Sequence, residues 1–316
     1  MNWQQDASLS KYCLLRVGGR AERLIEAHMH SHLVSAARDL QVLREKVTIL
    51  GWGSNILPSD AGISGAVLVN KAREISVLPG GVMEADSGAG FQDLFLKSAQ
   101  AGLSGLEFAV GIPGTLGGAL VSNAGAYRNN ISDRVVAVEW VRNGVCEWVD
   151  PSEIEFSYRD SILRRPNPPA IVLTRVRLQL EPRDRSEIYN LAREFQRQRI
   201  SKQPPQASVG SFFKNVLDAD LARELPTLPD GLKEAGVIPA GYLLEQVGMK
   251  GKSAGGAKFS ERHANFLVNL GWATATSLRS LAEHAKRLTR SRFGVELEEE
   301  ALYLGDWSGF EAQPIS

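Results

Sequence analysis

Across residues 104–127 the chain reads SGLEFAVGIPGTLGGALVSNAGAY, with too little side-chain bulk for an ordinary core segment. A stretch of this kind offers its backbone as the working surface. Gly111, Gly114, Gly117, Gly118 and Gly125 stand where a chain can take positive φ, or approach a ligand closely, without a Cβ clash. Pro113-Gly114 and Asn123-Ala124-Gly125 add turn chemistry. Successive N–H groups in such turns form concave anion sites, suited to a pyrophosphate or the edge of a flavin ring. A second loop, Gly51-Trp52-Gly53-Ser54-Asn55, follows the short buried-strand pattern Val47-Thr48-Ile49-Leu50 and presents N–H groups and a hydroxyl. Neither loop is a dinucleotide fingerprint of the doubly wound type. Gly88-Ala89-Gly90-Phe91-Gln92-Asp93 lacks the third glycine of that motif, and no G-x-x-x-x-G-K-[ST] sequence occurs. The expectation is a phosphate-bearing cofactor held without a Rossmann domain. Tight packing would explain one glycine pair, but not a run of this length.

The elements that must position these loops alternate between helix and strand. Leu33, Ala36, Ala37 and Leu40 recur at helical spacing, as do Leu94, Phe95, Ser98 and Ala101 before a stop at Gly102. From 135 to 180 the texture is mostly β, and Val176, Leu178 and Leu180 alternate strictly. Ile188, Leu191, Ala192 and Phe195 form the apolar face of a helix, with the basic run 183–199 on its exposed side. The loop 202–209, with Pro204-Pro205, reads as a connector. Beyond it, Ser211-Phe212-Phe213 and Phe266-Leu267-Val268 resemble strands, and Leu278, Leu281, Ala282, Ala285 and Leu288 mark a helix closed by Gly294. Residues 295–301 alternate, which on a strand sets Glu296, Glu298 and Glu300 on one face. The reading is α+β, with residues 1–182 as cofactor domain, 183–209 as connecting helix and linker, and 210–316 as a second domain.

Bulk properties narrow the function classes. The chain has 316 residues, enough for more than one domain, and its 36 Lys+Arg balance 36 Asp+Glu. Nothing global favours nucleic acid or an anionic membrane. Cys13 and Cys146 lie far apart, with no C-x-x-C spacing, which suits a reducing, cytoplasmic setting. No charged segment leads into an apolar one at the start, and nowhere do about 18 apolar residues run together. A soluble, unprocessed protein is expected. His28, His30 and His32 alternate as three ligands on one strand face would, yet they fall where a strand gives way to a helix, and no metal is expected.

Several motifs, in order, resemble the UDP-N-acetylenolpyruvoylglucosamine reductase family over nearly the whole chain. They are Arg16-Val17-Gly18-Gly19, the 51–55 loop, the 104–127 segment, Phe156-Ser157-Tyr158-Arg159-Asp160-Ser161, Gly210-Ser211-Phe212-Phe213-Lys214-Asn215, Ala240-Gly241-Tyr242-Leu243-Leu244-Glu245-Gln246, the run His263 through Asn269, and Leu297-Glu298-Glu299-Glu300. The resemblance implies a para-cresol-methylhydroxylase-type FAD-binding domain, a C-terminal α+β substrate-binding domain, and dissociable, non-covalent FAD. It implies that Gly51, Gly53, Ser54, Asn55, Gly111, Ile112, Pro113, Gly114, Thr115, Asn123, Ala124, Gly125 and Tyr127 line the FAD. It further implies a monomer whose single site is visited in turn by NADPH and a sugar nucleotide.

In the reaction so implied, hydride adds to the terminal carbon of an enolpyruvyl ether, and enolate-like charge grows beside a carboxylate. That charge needs cationic or hydrogen-bonding groups and a nearby proton donor. By motif position Arg159 and Glu300 match the family's stabilising pair and Ser211 its proton donor; Glu300 would serve best protonated, which requires a dry or crowded site. Tyr158, Lys214, Asn215, Gln246, Lys250 and Asn265 are the polar candidates for the sugar nucleotide. Singly, each of these residues has a plain structural explanation; their joint order favours function. His263 is expected to shape its loop rather than act as a base. Arg128, Val216 and Ala301 depart from the usual family residues (glycine, proline and valine), touching loop geometry and substrate affinity rather than chemistry. A flavin oxidase of the same superfamily would not need Ser211, Arg159 and Glu300, and a non-catalytic paralogue would be expected to have lost one of them.

Overall fold

The computed structural model describes residues 3–315. In chain order its main elements begin with β1 (Gln4–Ser8), β2 (Arg20–Ala27), α1 (His30–Val42), β3 (Val47–Leu50), β4 (Ile56–Pro58) and β5 (Ile63–Asn70). Then come β6 (Ile75–Leu78), β7 (Val82–Asp86), α2 (Phe91–Gln100), α3 (Leu116–Val121), β8 (Val135–Arg142), β9 (Val145–Val149), β10 (Ile171–Gln179) and α4 (Arg185–Lys202). The last part holds β11 (Ala207–Ser211), α5 (Ala219–Glu224), α6 (Asp230–Ala235), α7 (Ala240–Gln246), β12 (Ser253–Ala254), β13 (Ala257–Phe259), β14 (Phe266–Asn269), α8 (Ala275–Phe293) and β15 (Leu302–Leu304). The chain divides into two compact units, one of residues 1–7, 21–53 and 63–201, the other of 8–20, 54–62 and 202–316.

The first unit carries two sheets. One has the order β1-β2-β5-β3, with β2 and β3 both parallel to β5. Its centre is β5, where Ala66, Val67, Leu68 and Val69 are fully buried, a continuous apolar run rather than an alternating one because both faces are covered. Helix α1 makes the crossover and packs Leu33, Val34, Ala36, Ala37 and Leu40 into a small core. The other sheet, β9-β8-β10-β7-β6, is antiparallel. Against it lies the larger core, with Phe91, Leu94 and Phe95 of α2, Leu116 and Leu120 of α3, and Ile188 and Ala192 of α4.

The second unit is built on the antiparallel sheet β11-β14-β13-β12 with α8 alongside. Helix α8 begins with a reciprocal cap between Thr274 and Ser277, buries Leu278, Leu281, Ala282 and Ala285 at i, i+3, i+4 and i+7, and ends at Gly294, φ 70°. A parallel pair joins β15 to β4.

Three expectations are corrected here. The strand near Ser211 covers Ala207–Ser211 rather than 211–213, so the connector shortens to the irregular residues 203–206 between the end of α4 at Lys202 and β11. Residues 295–301 form no strand: burial alternates as far as Glu298 and then fails, because Glu299 and Glu300 are both half-buried. Main-chain bonds from Lys214 N to Glu298 O (2.8 Å) and from Glu300 N to Phe212 O (2.8 Å) hold this run instead. The domain limits also differ. Helix α4 belongs to the first unit through its contacts with the larger core, while residues 8–20 and 54–62 join the second.

Candidate functional site

The glycine loops of the first unit close on each other with no room for side chains. A Cβ on Gly51 would lie 2.4 Å from Thr115 Oγ1, and one on Gly117 would lie 3.0 Å from Ser87 O. The 111–117 segment is pinned to residues 87–91 by bonds from Phe91 N to Gly114 O (2.9 Å), Leu116 N to Ala89 O (2.9 Å) and Gly117 N to Ser87 O (2.6 Å). Gly53, Gly111 and Gly114 take φ values of 61°, 72° and 132°. Gly53, Gly114 and Thr115 are buried, yet among the described residues their N–H groups donate to no protein acceptor. Buried N–H groups without protein partners are rare, and successive ones of this kind form a concavity that suits an anion.

The 123–128 loop forms the next wall. Asn123 (φ 41°), Tyr127 (φ 53°) and Arg128 (φ 62°) are all left-handed without being glycine. Arg128 thus accepts the conformation that favours glycine, at a cost of about 1 kcal/mol. Asn123 is buried and spends its side chain on Ser157 O (2.9 Å) and Ser132 N (3.2 Å). The ring of Tyr127 stacks on Phe195 at 3.9 Å, and its hydroxyl donates to Phe195 O.

Arg159 sits in the tight turn closed by Ser157 and Asp160, at φ 52°. Its guanidinium donates to Asn123 O (3.3 Å) and Gly125 O (2.5 Å) and lies over the Tyr158 ring. A residue held in a sparsely populated backbone region by several contacts is a common mark of a working site. Tyr158 itself is exposed.

A second arginine stands here that sequence reasoning assigned to an exposed helix face. Arg199 packs over Tyr127, donates from Nη2 to Phe108 O at 3.3 Å, and has its Cδ 3.1 Å from where a Cβ on Gly111 would lie. Its Nε is buried and makes no hydrogen bond among the described residues. Burial, and to a lesser degree the charge of Arg159, make its protonated form costlier than usual, with Tyr127 opposing them. The signal was present: the apolar face Ile188, Ala192, Phe195 continues by one more helical step to 199.

In the second unit Ser211 ends β11 at an irregular register, opposite Phe266, directly after Gly210 at φ 78°. A bulge of this type re-aims the side chain that follows it. Among the described residues the Ser211 hydroxyl makes no hydrogen bond, so its proton is free to be given elsewhere. Asn55, expected at the FAD, donates from Nδ2 to the main-chain oxygen of Glu300 at 3.0 Å. Together with the Phe212 contact this fixes Glu300 beside the Ser211 strand.

Four of the six proposed sugar-nucleotide residues have side chains already bonded within the protein. Asn265 is buried and grips Phe213 from both sides, Oδ1 accepting from its N–H (3.0 Å) and Nδ2 donating to its carbonyl (2.8 Å). Asn215 Oδ1 accepts from Ala240 N at 3.2 Å, and Val216 continues into a pair with Ile238, so no loose turn follows. Lys214 pairs with Glu298 at 2.5 Å and Lys250 with Glu245 at 3.0 Å. Gln246 ends α7, where its carbonyl accepts from Arg292. His263 accepts from Asn265 N through Nδ1 (3.2 Å) and meets Phe266 edge-on; burial lowers its pKa, which favours the neutral ring. His28 pairs with Glu26 outside β2, while His30 and His32 lie within α1, so the three histidines share no strand.

Residues 202–304 match the UDP-N-acetylenolpyruvoylglucosamine reductase C-terminal domain, and residues 21–146 match an FAD binding domain. A reductase of that name from Synechococcus sp. (strain JA-3-3Ab) is 38% identical over 309 residues, covering 96% of this chain and 92% of the relative.

The chain belongs to the UDP-N-acetylenolpyruvoylglucosamine reductase family. The Thermotoga maritima reductase is 33% identical over 294 residues, covering 92% of this chain and 95% of its own. The crystal structure of the Thermus caldophilus reductase aligns with a TM-score of 0.77 at 31% identity, covering 96% of this chain and 99% of that one. As a member of this family the chain is an FAD-dependent oxidoreductase. Its loops fit the cofactor: the buried N–H groups of Gly53, Gly114 and Thr115, without partners among the described residues, suit phosphate oxygens, and glycine at 51 and 117 lets the loops that carry them pack together. Among the described residues no helix is long and apolar enough to cross a membrane.

Replacing the missed arginine tests the cradle. Arg199→Gln is expected to weaken FAD binding by about 10- to 100-fold, the equivalent of one hydrogen bond to a charged group at about 1.5–3 kcal/mol. Equilibrium dialysis of FAD against the apoprotein measures it, and an unchanged dissociation constant would return Arg199 to a purely structural role.

Proposed function

We propose that the protein reduces UDP-N-acetylglucosamine enolpyruvate to UDP-N-acetylmuramate with NADPH, in the synthesis of peptidoglycan precursors. The 51–55, 111–115 and 123–127 loops would hold FAD non-covalently, and the bound flavin would supply the redox chemistry that links NADPH to the enolpyruvyl double bond. The protein's own part is to meet the charge that develops and to supply a proton. Arg159, cationic and fixed by the Asn123 and Gly125 carbonyls, is the group that opposes negative charge beside the substrate carboxylate. Glu300, held through its main chain by Phe212 and Asn55, shares that task when protonated. Ser211 gives its proton to the carbon next to the carboxylate.

The observation that supports this reading is the Ser211 hydroxyl, placed at a register shift, without a hydrogen-bond partner among the described residues, and next to the residue that anchors Glu300. A serine kept only for structure would be expected to cap a turn or bond a carbonyl. Tyr158 is the exposed ring offered to the sugar nucleotide, and Lys214 and Lys250 can exchange their glutamate partners for diphosphate.

Anaerobic stopped-flow absorbance tests the reading. The purified yellow protein is reduced with one equivalent of NADPH and mixed with UDP-N-acetylglucosamine enolpyruvate. Rapid return of oxidised flavin is the expected result. Reduced flavin that this substrate leaves untouched, but that oxygen reoxidises at once, would move the function to an oxidase.

A further inference from the structure

Away from the glycine loops, three side chains of metal-binding type meet where α1 covers the sheets of the first unit. They are His30, the first residue of α1, Glu139 on β8 and Cys146 on β9, and one donor atom from each lies within 4.8 Å of the other two. The β8–β9 register explains the meeting. Val141 is opposite Cys146 and Trp148 opposite Glu139, so Glu139 and Cys146 are diagonal neighbours on one face, the face on which Val141 and Cys146 pack against α1.

Glu139 is the unusual member. It is 8% exposed, in the middle of a strand, and a carboxylate in such a place needs compensating charge. Its Oε2 lies 2.5 Å from His30 Nε2 and accepts from Thr174 Oγ1 at 2.7 Å. Burial, and then the Glu139 carboxylate, push the Cys146 thiol pKa up, with the Thr174 hydroxyl and the Arg38 charge opposing them, so the thiol is protonated until a cation displaces its proton.

We propose that His30, Glu139 and Cys146 bind one divalent cation of the zinc class. Imidazole, thiolate and carboxylate together suit Zn²⁺ or Co²⁺, whereas Mg²⁺ and Ca²⁺ take oxygen ligands. Thr174 supplies the outer hydrogen bond that orients a ligating carboxylate. A shallow surface depression lined by His30, Ser31, Val34, Ser35, Arg38 and Asp39 of α1 brings solvent to the His30 side. A water from that depression completes four-coordination. Tetrahedral bonds of about 2.0–2.3 Å set ligand atoms about 3.3–3.6 Å apart, so the His30 ring must swing from the carboxylate oxygen by a little under about 1 Å. The proton between His30 Nε2 and Glu139 and the thiol proton are given up, to solvent or to His30 Nδ1, and the dication is balanced by one thiolate and one carboxylate. The bound ion ties the first turn of α1 to β8 and β9.

Cobalt titration of the holoprotein tests this. One equivalent of Co²⁺ is expected to raise tetrahedral d–d bands at wavelengths beyond the flavin absorption, with a sulfur-to-metal charge-transfer band in the difference spectrum, and Zn²⁺ should displace both. Cys146→Ser should abolish the charge-transfer band and His30→Ala weaken binding at least about tenfold, while Cys13→Ser changes neither. The flavin spectrum and far-ultraviolet dichroism report whether each variant is folded, and if Cys146→Ser is not, His30→Ala and Glu139→Gln decide. Failure to develop the tetrahedral spectrum, or a spectrum indifferent to these substitutions, would show that His30 and Glu139 are an ion pair and nothing more.

Discussion

Ser211→Ala is expected to leave reduction of the bound flavin by NADPH nearly intact while slowing its reoxidation by the enolpyruvyl substrate by about 10²- to 10⁴-fold, the range for loss of a positioned proton donor. The asymmetry follows from where the proton is needed. Taking hydride from NADPH requires no proton at the substrate's carbon, whereas reducing the enolpyruvyl group leaves charge there that only protonation removes. The variant should fold normally, because the hydroxyl makes no hydrogen bond among the described residues and the half-buried Ser211 gives up one oxygen atom. Stopped-flow absorbance of the two half-reactions separates the cases. Equal slowing of both would mean that Ser211 shapes the cofactor's surroundings and is not the donor.

The parts of the fold legible in the sequence are those whose signal is local. Helices α2 and α8 show it: each has an apolar stripe at i, i+3, i+4, and each is closed by a left-handed glycine, Gly102 and Gly294, both at φ 70°. The glycine loops were legible for the same reason, since a missing Cβ is visible in the sequence whatever it packs against. What local pattern cannot show is a bond made across the chain. Asp60 caps α8 by accepting from Ala275 N (3.0 Å) and Thr276 N (2.8 Å), and Asn269 reaches Leu15 O at 2.7 Å. Contacts of that kind place residues 8–20 and 54–62 with the C-terminal unit. The acidic run 295–301 misled because period-two burial is shared by strands and by any extended segment laid along a sheet residue by residue. Asn265 shows the same limit: its amide can bind a ligand as readily as a peptide group, and only the structure shows the bonds that both of its ends make to Phe213.

The second large effect is expected from a single methyl group at Gly125. This glycine is not at positive φ, so Gly125→Ala carries no penalty of backbone conformation. Space is the obstacle. The new Cβ would lie 2.3 Å from Asn129 O, 2.5 Å from Asn130 Oδ1 and 3.0 Å from Asn130 Cα, and the nearest of these is main chain that has no rotamer to escape into. Gly125 pairs with Asn130 in a two-residue ladder, and relieving the contact means moving one side by about 1 Å. The moved atoms include the Gly125 carbonyl, which holds Arg159, and the loop that stacks Tyr127 on Phe195. A misplacement of about 1 Å at a group that must meet developing charge can cost about 10²-fold in rate. Gly125→Ala is therefore expected to lose about 10²-fold in turnover and to retain less FAD on purification. Gly118→Ala is the control. It lies in α3, its Cβ would meet only Thr115 Oγ1 at an ordinary 3.4 Å, and alanine there should stabilise the helix by about 0.5–1 kcal/mol. FAD content and turnover of the two variants, measured side by side, decide the matter: a gap of about 10²-fold locates the requirement in the Asn129 contact, and equal loss would mean that the whole segment rejects any side chain for a reason other than packing within the protein.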